Sequence, residues 1–185
     1  MRIVLVGPAV LVAVLVLGGC AVAVPGRAVP EPAAVASSAP PAASRSPTLV
    51  ADVLTDECLL DADGFALLLE APVEPPATGG EPRACTTAAT RGTPRALASV
   101  NVYGVRDGSP VDLLRSGREL VGVGDAARVV ETVGGPTLQI AAGEHLVTIA
   151  VAEREPDDGR WAEAAARAVA ALEVGERGRG RAEGR

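Results

Sequence analysis

The segment ARVVETVGGPTLQIAAGEHLVTIAVAE, residues 127–153, decides the fold because it contains three strand-like runs separated by two short turns. Apolar and polar side chains alternate along ARVVETV, TLQIAA and HLVTIAVAE, which is the pattern of half-buried β-strands. Gly134-Gly135-Pro136 and Gly143-Glu144 separate these runs and suit tight connections. The segment therefore predicts an antiparallel meander.

Two more strands are predicted before the meander, in CTTAAT (85–90) and ALASVNVYG (96–104). In the second of these, Val100 and Val102 share one face, while Asn101 and the following Tyr103 share the other. The expected sheet thus has about five strands.

Three segments are predicted to be helices. DADGFALLLEA begins near a capping Asp61 or Asp63, and Phe65, Leu68 and Leu69 lie on its apolar side. SPVDLLRSGREL starts with a Ser cap and a Pro at the first helical position. DDGRWAEAAARAVAALE opens with Asp157 or Asp158 near the cap, and Gly175 follows as a stop. Its apolar stripe is formed by Trp161, Ala165, Ala168 and Leu172. The element order predicts an α+β domain, an antiparallel sheet with two or three helices packed on one face.

The composition limits the possible partners. All 17 basic residues are arginines, and they are scattered along the chain except in the last eleven positions. The net charge is −6, and only Phe65, Tyr103 and Trp161 are aromatic. A nucleic-acid-binding surface needs a basic stripe and usually aromatic platforms for stacking. The composition therefore argues against nucleic acid as a partner, and the core is expected to consist of aliphatic side chains.

The first 19 residues have the layout of a secretory signal peptide: an early Arg, an apolar run and then small residues. Leu17-Gly18-Gly19-Cys20 resembles the bacterial lipobox, in which a lipid is attached to the Cys before cleavage ahead of it. Lipidation at Cys20 would anchor the chain to the membrane. Two other readings stay open, an uncleaved anchor helix and ordinary cleavage after Ala21-Val22-Ala23.

The chain divides by composition into four parts. A signal peptide (1–19) precedes an Ala/Pro/Ser-rich tether (20–49) in which prolines interrupt any helix. A folded domain is expected over 50–174, and the Gly/Arg-rich segment 175–185 is expected to be disordered. This organisation predicts a domain held at the outer face of the cell membrane by a lipid anchor.

Cys58 and Cys85 are the two cysteines of the expected domain. Two thiols outside the cytoplasm most often pair, and such a bridge would tie the first helix to the first strand. A redox pair would favour C-x-x-C spacing, and a metal site would need ligands that a chain with one His does not offer. A structural disulfide is therefore predicted, and no metal or cofactor.

Several of these features occur together in one known family. Asp56-Glu57-Cys58-Leu59-Leu60, Cys85, the stretch 122–127 (GVGDAA) and the Ala-rich helix after Trp161 follow a lipobox and a Pro/Ala/Ser tether. With these motifs the chain, over residues 50–173, resembles the actinobacterial lipoprotein family catalogued as domain of unknown function 3558. The resemblance implies an envelope lipoprotein with an α+β domain and no established activity.

The chain departs from the family pattern at two positions. Glu57 stands where the family often has Pro, and Thr86 stands where an aromatic residue often follows the second Cys. The resemblance carries over no catalytic residue.

VGVGDAARVV, residues 121–130, fits the dinucleotide fingerprint G-x-G-x-x-A. That fingerprint needs a strand before the glycines and a helix after them, whereas here a helix-like segment precedes and a strand-like segment follows. We therefore expect a structural turn from the second helix into the sheet. Gly122 and Gly124 would allow positive φ, and Asp125 would accept hydrogen bonds from the turn's own backbone.

No catalytic constellation emerges from the sequence. His145 is the sole His and is expected at a strand start on the surface, and no G-x-S-x-G elbow is present. The acidic pairs Asp56-Glu57 and Asp157-Asp158 are better explained as residues near helix starts. The function predicted is a non-catalytic module that binds or senses an unknown small ligand. The alternative is an accessory subunit that binds an envelope protein, and a hydrolase ranks third.

Overall fold

A computed structural model describes residues 46–183 of the chain, so the predictions for the leader, for Cys20 and for most of the tether lie outside the described residues. The elements in chain order are β1 (Thr48–Val50), α1 (Ala62–Leu69), β2 (Ala77–Gly79), β3 (Ala84–Ala88), β4 (Leu97–Arg106), a 3-10 helix (Pro110–Leu113), β5 (Arg118–Glu119), β6 (Ala126–Thr132), β7 (Gly135–Ala142), β8 (His145–Ala152) and α2 (Asp158–Glu183). β1 begins at Thr48, two residues before the predicted start of the domain.

All the strands form one antiparallel sheet in the order β2-β3-β4-β8-β7-β6-β5, with β1 also pairing with β4. The predicted meander is confirmed as β6-β7-β8, and the α+β class is confirmed. The predicted number of about five strands is wrong, because the described residues contain eight. The three additional strands, β1, β2 and β5, are two or three residues long. Runs this short cannot show an alternation of side chains.

One face of the sheet carries both α-helices and is called the core face here. Cross-strand partners on this face are branched aliphatic residues, such as Val100 opposite Ile149 and Ile149 opposite Leu138. Phe65 of α1 and Trp161 of α2 are completely buried in the same apolar cluster. The predicted helical faces are therefore confirmed, and two aromatic rings occupy the middle of an otherwise aliphatic core.

The helix α1 begins where the sequence predicts. Asp61 is its cap, and the Asp61 carboxylate accepts a hydrogen bond from the Gly64 N–H at 2.8 Å. The helix ends at Leu69, and Glu70 follows as the C-cap, whose left-handed backbone turns the chain into a Pro-rich segment. Arg160 pairs with Glu70, while Arg167 lies within ion-pair distance of Asp61, so α1 and α2 run antiparallel.

The predicted second helix is wrong beyond its first turn. Ser109 and Pro110 begin a helical turn as expected, but it ends at Leu113 and the chain then forms β5. Gly117 approaches β6 so closely that a Cβ there would lie 2.4 Å from the Val129 carbonyl oxygen. Ser116 and Gly117 are weak helix formers, so contacts with the sheet determine the conformation here.

The helix α2 starts as predicted, with Asp157 accepting a hydrogen bond from the Arg160 N–H at 2.9 Å. Its end differs from the prediction, because the helix continues through Gly175 to Glu183. A glycine inside a helix costs about 1 kcal/mol relative to alanine, and extending an existing helix requires no new nucleus.

Candidate functional site

The second face of the sheet, called the open face here, carries small and polar side chains. Thr86, Ser99, Ala150 and Thr137 are successive cross-strand partners on β3, β4, β8 and β7. None of these four residues is fully buried. Their partners on the core face, one residue away along each strand, are buried and mostly aliphatic. The open face is therefore the part of the sheet available to a ligand.

One end of the open face is covered by the connection 107–117, called the strap here. Its 3-10 helix contacts β7 and β8, and the backbone N–H of Arg115 donates to Gln139 Oε1 at 2.8 Å. Ala141 and Leu146, on the open face at this end, are buried. The strap thus closes one half of the face and leaves the other half open.

The uncovered half forms a groove of about 580 Å³. This volume falls within the range of roughly 300–1,000 Å³ that small-molecule sites usually have. The residues that line the groove come from the segment before β2, from four neighbouring strands and from the turn between β6 and β7. They are Glu74, Pro75, Ala77, Thr86, Thr87, Ala88, Leu97, Ala98, Ser99, Gly134, Ala150 and Ala152.

Two of the four polar side chains that line the groove are already bonded within the protein. The Thr87 hydroxyl donates to the Glu74 carbonyl oxygen at 2.6 Å, and the Glu74 carboxylate forms an ion pair with Arg95. Within residues 46–183, the hydroxyls of Thr86 and Ser99 have no hydrogen-bond partner. These two residues face each other across β3 and β4, so the groove presents a single adjacent pair of unbonded hydroxyls.

The predicted disulfide is confirmed. Cys58 and Cys85 are bonded, with 4.8 Å between their Cα atoms. Cys85 lies in β3 and is completely buried, whereas Cys58 lies three residues before the cap of α1 and is half-buried. The Cys58 N–H donates to Asp56 Oδ1, and this bond together with one from the Thr78 hydroxyl lowers the pKa of Asp56. The bridge therefore holds the start of α1 against the sheet.

Glu57 is a buried residue whose structural role the sequence did not reveal. Its Oε2 accepts a hydrogen bond from the Val102 N–H at 2.7 Å, and its side chain is fully buried. On this edge of β4, the pairing with β3 ends at Val100 and the pairing with β1 begins at Gly104. The carboxylate therefore occupies the gap between the two strands and satisfies a backbone donor that neither strand reaches.

The burial of Glu57 has an electrostatic cost. Oε1 has no hydrogen-bond partner among the described residues, and burial raises the pKa of this carboxyl above its ordinary 4.5 although the Val102 hydrogen bond opposes the rise. The charge of Arg83 also opposes it, while that of Asp52 adds to it. The only sequence signal was Glu57 itself, a carboxylate at a position where the resembled family often has proline.

The stretch that resembled a dinucleotide fingerprint connects β5 to β6, and no helix follows it. Gly122 and Gly124 have φ values of 83° and 55°. The expected role of Asp125 differs in detail, because its carboxylate accepts a hydrogen bond from Gly143 N at 2.8 Å rather than from its own turn. Asp125 therefore joins two turns at one end of the sheet.

The residues that were candidates for catalysis do not come together in the groove. His145 begins β8 opposite Gly104, five residues along the strand from Ala150. Asp157 and Asp158 lie at the start of α2 in ion pairs with Arg160 and Arg118. In the described part of the chain, no three His, Cys, Asp or Glu side chains are grouped in a way that would hold a metal ion.

No helix among residues 46–183 has the length and apolar character needed to span a bilayer. No protein-family model, curated protein or solved structure matches the chain.

Proposed function

We propose that the protein is a membrane-anchored, extracytoplasmic binding module that holds a small ligand in the groove of the open face without transforming it. The observation that carries the proposal is the groove itself, a recess of about 580 Å³ left uncovered on a sheet whose other face is fully packed. Sites of this size with a few polar groups among apolar ones are typical of small-molecule binding.

The location in the proposal rests on the leader. A signal-peptide pattern that ends in Leu17-Gly18-Gly19-Cys20 supports attachment of lipid at Cys20. The Ala/Pro/Ser-rich tether would then hold the domain away from the bilayer. The resemblance to the family catalogued as domain of unknown function 3558 supports the same location and assigns no activity.

The chemistry of the groove supports binding rather than catalysis. A nucleophilic Ser or Thr needs a base within hydrogen-bond distance of its hydroxyl. His145 lies about 17 Å along β8 from Ala150, at about 3.4 Å per strand residue. The carboxylate of Glu74 is paired with Arg95. Neither residue is placed to activate Ser99 or Thr86.

A second candidate function is the docking of an envelope protein. The observation in its favour is a pair of exposed apolar side chains near the groove, Leu97 at 51% and Val133 at 111% relative exposure. The other strongly exposed aliphatic residues are distributed over β1, the strap, the turn after β5 and α2. A continuous apolar patch would favour a protein partner more strongly.

The test compares the wild-type protein with two tryptophan variants, each purified from native envelopes and examined by native mass spectrometry. Ala150→Trp fills the groove, whereas Val121→Trp adds the same side chain at an exposed turn at the other end of the sheet. We expect a ligand on the wild type and on Val121→Trp and none on Ala150→Trp. An equal amount of ligand on all three would place the site elsewhere. The absence of ligand from all three, with a partner protein recovered by crosslinking, would favour docking.

The anchor is tested separately by the intact mass of the mature protein. We expect a chain that begins at Cys20 and carries lipid, and a Cys20→Ser variant that keeps its leader. An unlipidated chain that begins at Val24 would contradict the anchor and leave the groove proposal untouched.

A further inference from the structure

The shape of the groove restricts what can lie in it. Its floor crosses the sheet from Ala77 in β2, through β3, β4 and β8, to Gly134 at the turn after β6. Neighbouring strands are about 4.8 Å apart, so the four steps from β2 through β3, β4 and β8 to the start of β7 span about 19 Å. A recess of about 580 Å³ drawn out over that length is narrow and shallow. It fits an elongated molecule better than a globular one.

Apart from Leu97, the floor of the groove consists of short side chains. Thr86, Ser99 and Ala150 form one row across the strands, and Leu97 lies between Ala88 and Ala152 in the next row. The wall on the β2 side contains Pro75. No aromatic residue lines the groove, so no platform for stacking a sugar ring or a base is present among the lining residues. Apolar contact along a thin chain is the interaction that such a floor provides.

The charges around the groove exclude an ionic ligand. Glu74 is the one charged lining residue, and its pairing with Arg95 leaves little net field inside. A ligand anion would find no cation in the lining, and the chain as a whole carries a net charge of −6. A ligand cation would have to compete with Arg95 for Glu74. Desolvating either ion without a new partner is unfavourable.

The remaining polar groups fix one position on the ligand. Thr86 and Ser99 are opposite each other on adjacent strands, and both hydroxyls are unbonded within the described chain. Two neighbouring hydroxyls can donate to one carbonyl oxygen or accept from one polar hydrogen. They lie towards the β2 side of the groove, with Ala150 and Ala152 on the other side. One polar group flanked by apolar chain is the complement of this arrangement.

From these four features we infer that the groove binds an elongated, uncharged, mostly aliphatic molecule whose single carbonyl group, an acyl ester or amide, meets Thr86 and Ser99. This inference rests on the proposed function, since it names the class of ligand for the same groove. It also assigns separate roles to the lining residues: the alanines contact the chain, and the two hydroxyls set its register.

The experiment uses the full-length chain in lipid nanodiscs and three probes with the same twelve-carbon chain length: methyl laurate, laurate and dodecyltrimethylammonium. Retention is measured by mass spectrometry after rapid buffer exchange, and the Ala150→Trp variant provides the background due to the bilayer. We expect methyl laurate to be retained at least tenfold above that background, and the two ions to remain at it. Equal retention of laurate or of the ammonium probe would overturn the exclusion of charge.

The role of the hydroxyls is tested with a matched pair of variants. Thr86→Val combined with Ser99→Ala removes both hydroxyls and is expected to weaken methyl laurate binding at least about fivefold, because the loss of even one hydrogen bond to a neutral group has about that effect. Thr148→Val makes the same kind of change on the open face outside the groove and is expected to leave binding unchanged. Unchanged binding in the double variant would show that the hydroxyls do not contact the ligand.

The inference and the proposed function fail in different ways. A sugar, an ionic metabolite or a peptide on the protein from native envelopes, lost in Ala150→Trp, would refute the acyl class and keep the groove as the site. If the wild type carries no ligand in envelopes and also retains no probe above background, both the inference and the proposed function are refuted.

Discussion

The two faces of the sheet are formed by alternate residues of the same strands, yet they differ in size, polarity and coverage. On the core face, Val100, Ile149 and Leu138 stand side by side beneath the helices. On the open face, one residue further along each strand, Ser99, Ala150 and Thr137 occupy the equivalent row. Beneath a helix, small side chains would stabilise the fold less, because they bury little apolar area. On an exposed face the same small side chains leave a recess.

This difference separates the parts of the molecule that hold the fold from the parts available for function. Substitutions on the core face should change stability strongly, whereas substitutions in the groove should change stability little and binding strongly.

The largest effect is expected for Trp161→Ala. The indole is completely buried in the aliphatic cluster, and its removal leaves a large cavity. The free energy of unfolding should fall by about 3–5 kcal/mol, measured by urea denaturation. A loss below about 1 kcal/mol would mean that the core face collapses around the gap, and the contrast between the faces would weaken.

Removal of the disulfide is expected to come next. The double substitution Cys58→Ala and Cys85→Ala opens a bridge between residues 27 apart, and the chain-entropy model gives a loss of about 3.5 kcal/mol. Urea denaturation of the variant, beside the wild type with its bridge intact, provides the measurement. The same loss in reduced wild-type protein is the control, and unequal losses would point to packing of the sulfur atoms rather than to the cross-link.

Glu57 is expected to make stability depend on pH. Burial raises its pKa in the folded state, so folding favours the protonated form. Its contribution is fully present below pH 4.5 and is lost as the pH rises through the folded-state pKa. Relative to Glu57→Gln, which does not titrate, the wild type should therefore become progressively less stable from pH 4.5 upwards in urea titrations. A constant difference across this range would show that the carboxyl keeps its ordinary pKa.

A second variant isolates the hydrogen bond of Glu57. Glu57→Leu removes the acceptor of the Val102 N–H, which is expected to cost about 1–3 kcal/mol at pH 4, where the wild-type carboxyl is mostly neutral. If the leucine variant is as stable as the wild type at this pH, then the gap in the ladder of β4 needs no side-chain acceptor.

The smallest effect is expected in the groove. Thr86→Val and Ser99→Ala should each change the free energy of unfolding by no more than about 0.5 kcal/mol, because neither hydroxyl is bonded within the described chain. Thermal unfolding of the ligand-free variants is the measurement. A large loss of unfolding free energy in either variant would mean that the open face also contributes to stability. The two faces would then not differ in the way proposed above.

The long elements of the fold were predictable because each shows its period in the sequence. The meander has alternating strands seven or eight residues long, and all four residues of the stripe predicted for α2 are buried. The predicted second helix failed because the 3-10 turn, Gly117 and β5 are determined by contacts with the sheet that local sequence does not encode. The short strands were not predicted for a related reason: two or three residues cannot show the alternation of side chains that identifies a strand.

The candidate site was less predictable than the fold. The groove depends on β4 lying next to β8, and these two strands are about 50 residues apart in the chain. It also depends on where the strap stops, which is fixed by the bond between Arg115 and Gln139. Thr86 and Ser99 are unremarkable residues in their own strands and become a pair only through their register. The disulfide was predictable because the domain has two cysteines and the leader pattern predicts a compartment in which thiols pair.

The two outermost strands of the sheet, β2 and β5, have three and two residues. Unpaired backbone groups at a sheet edge are the template on which a second chain adds a strand and starts an aggregate. Edges this short offer few such groups, and Pro75 and Pro76 directly before β2 lack the N–H that would extend that edge. Even where many copies of the protein stand close together on one surface, we therefore expect little pairing between the sheet edges of different molecules, although every molecule carries an eight-stranded sheet.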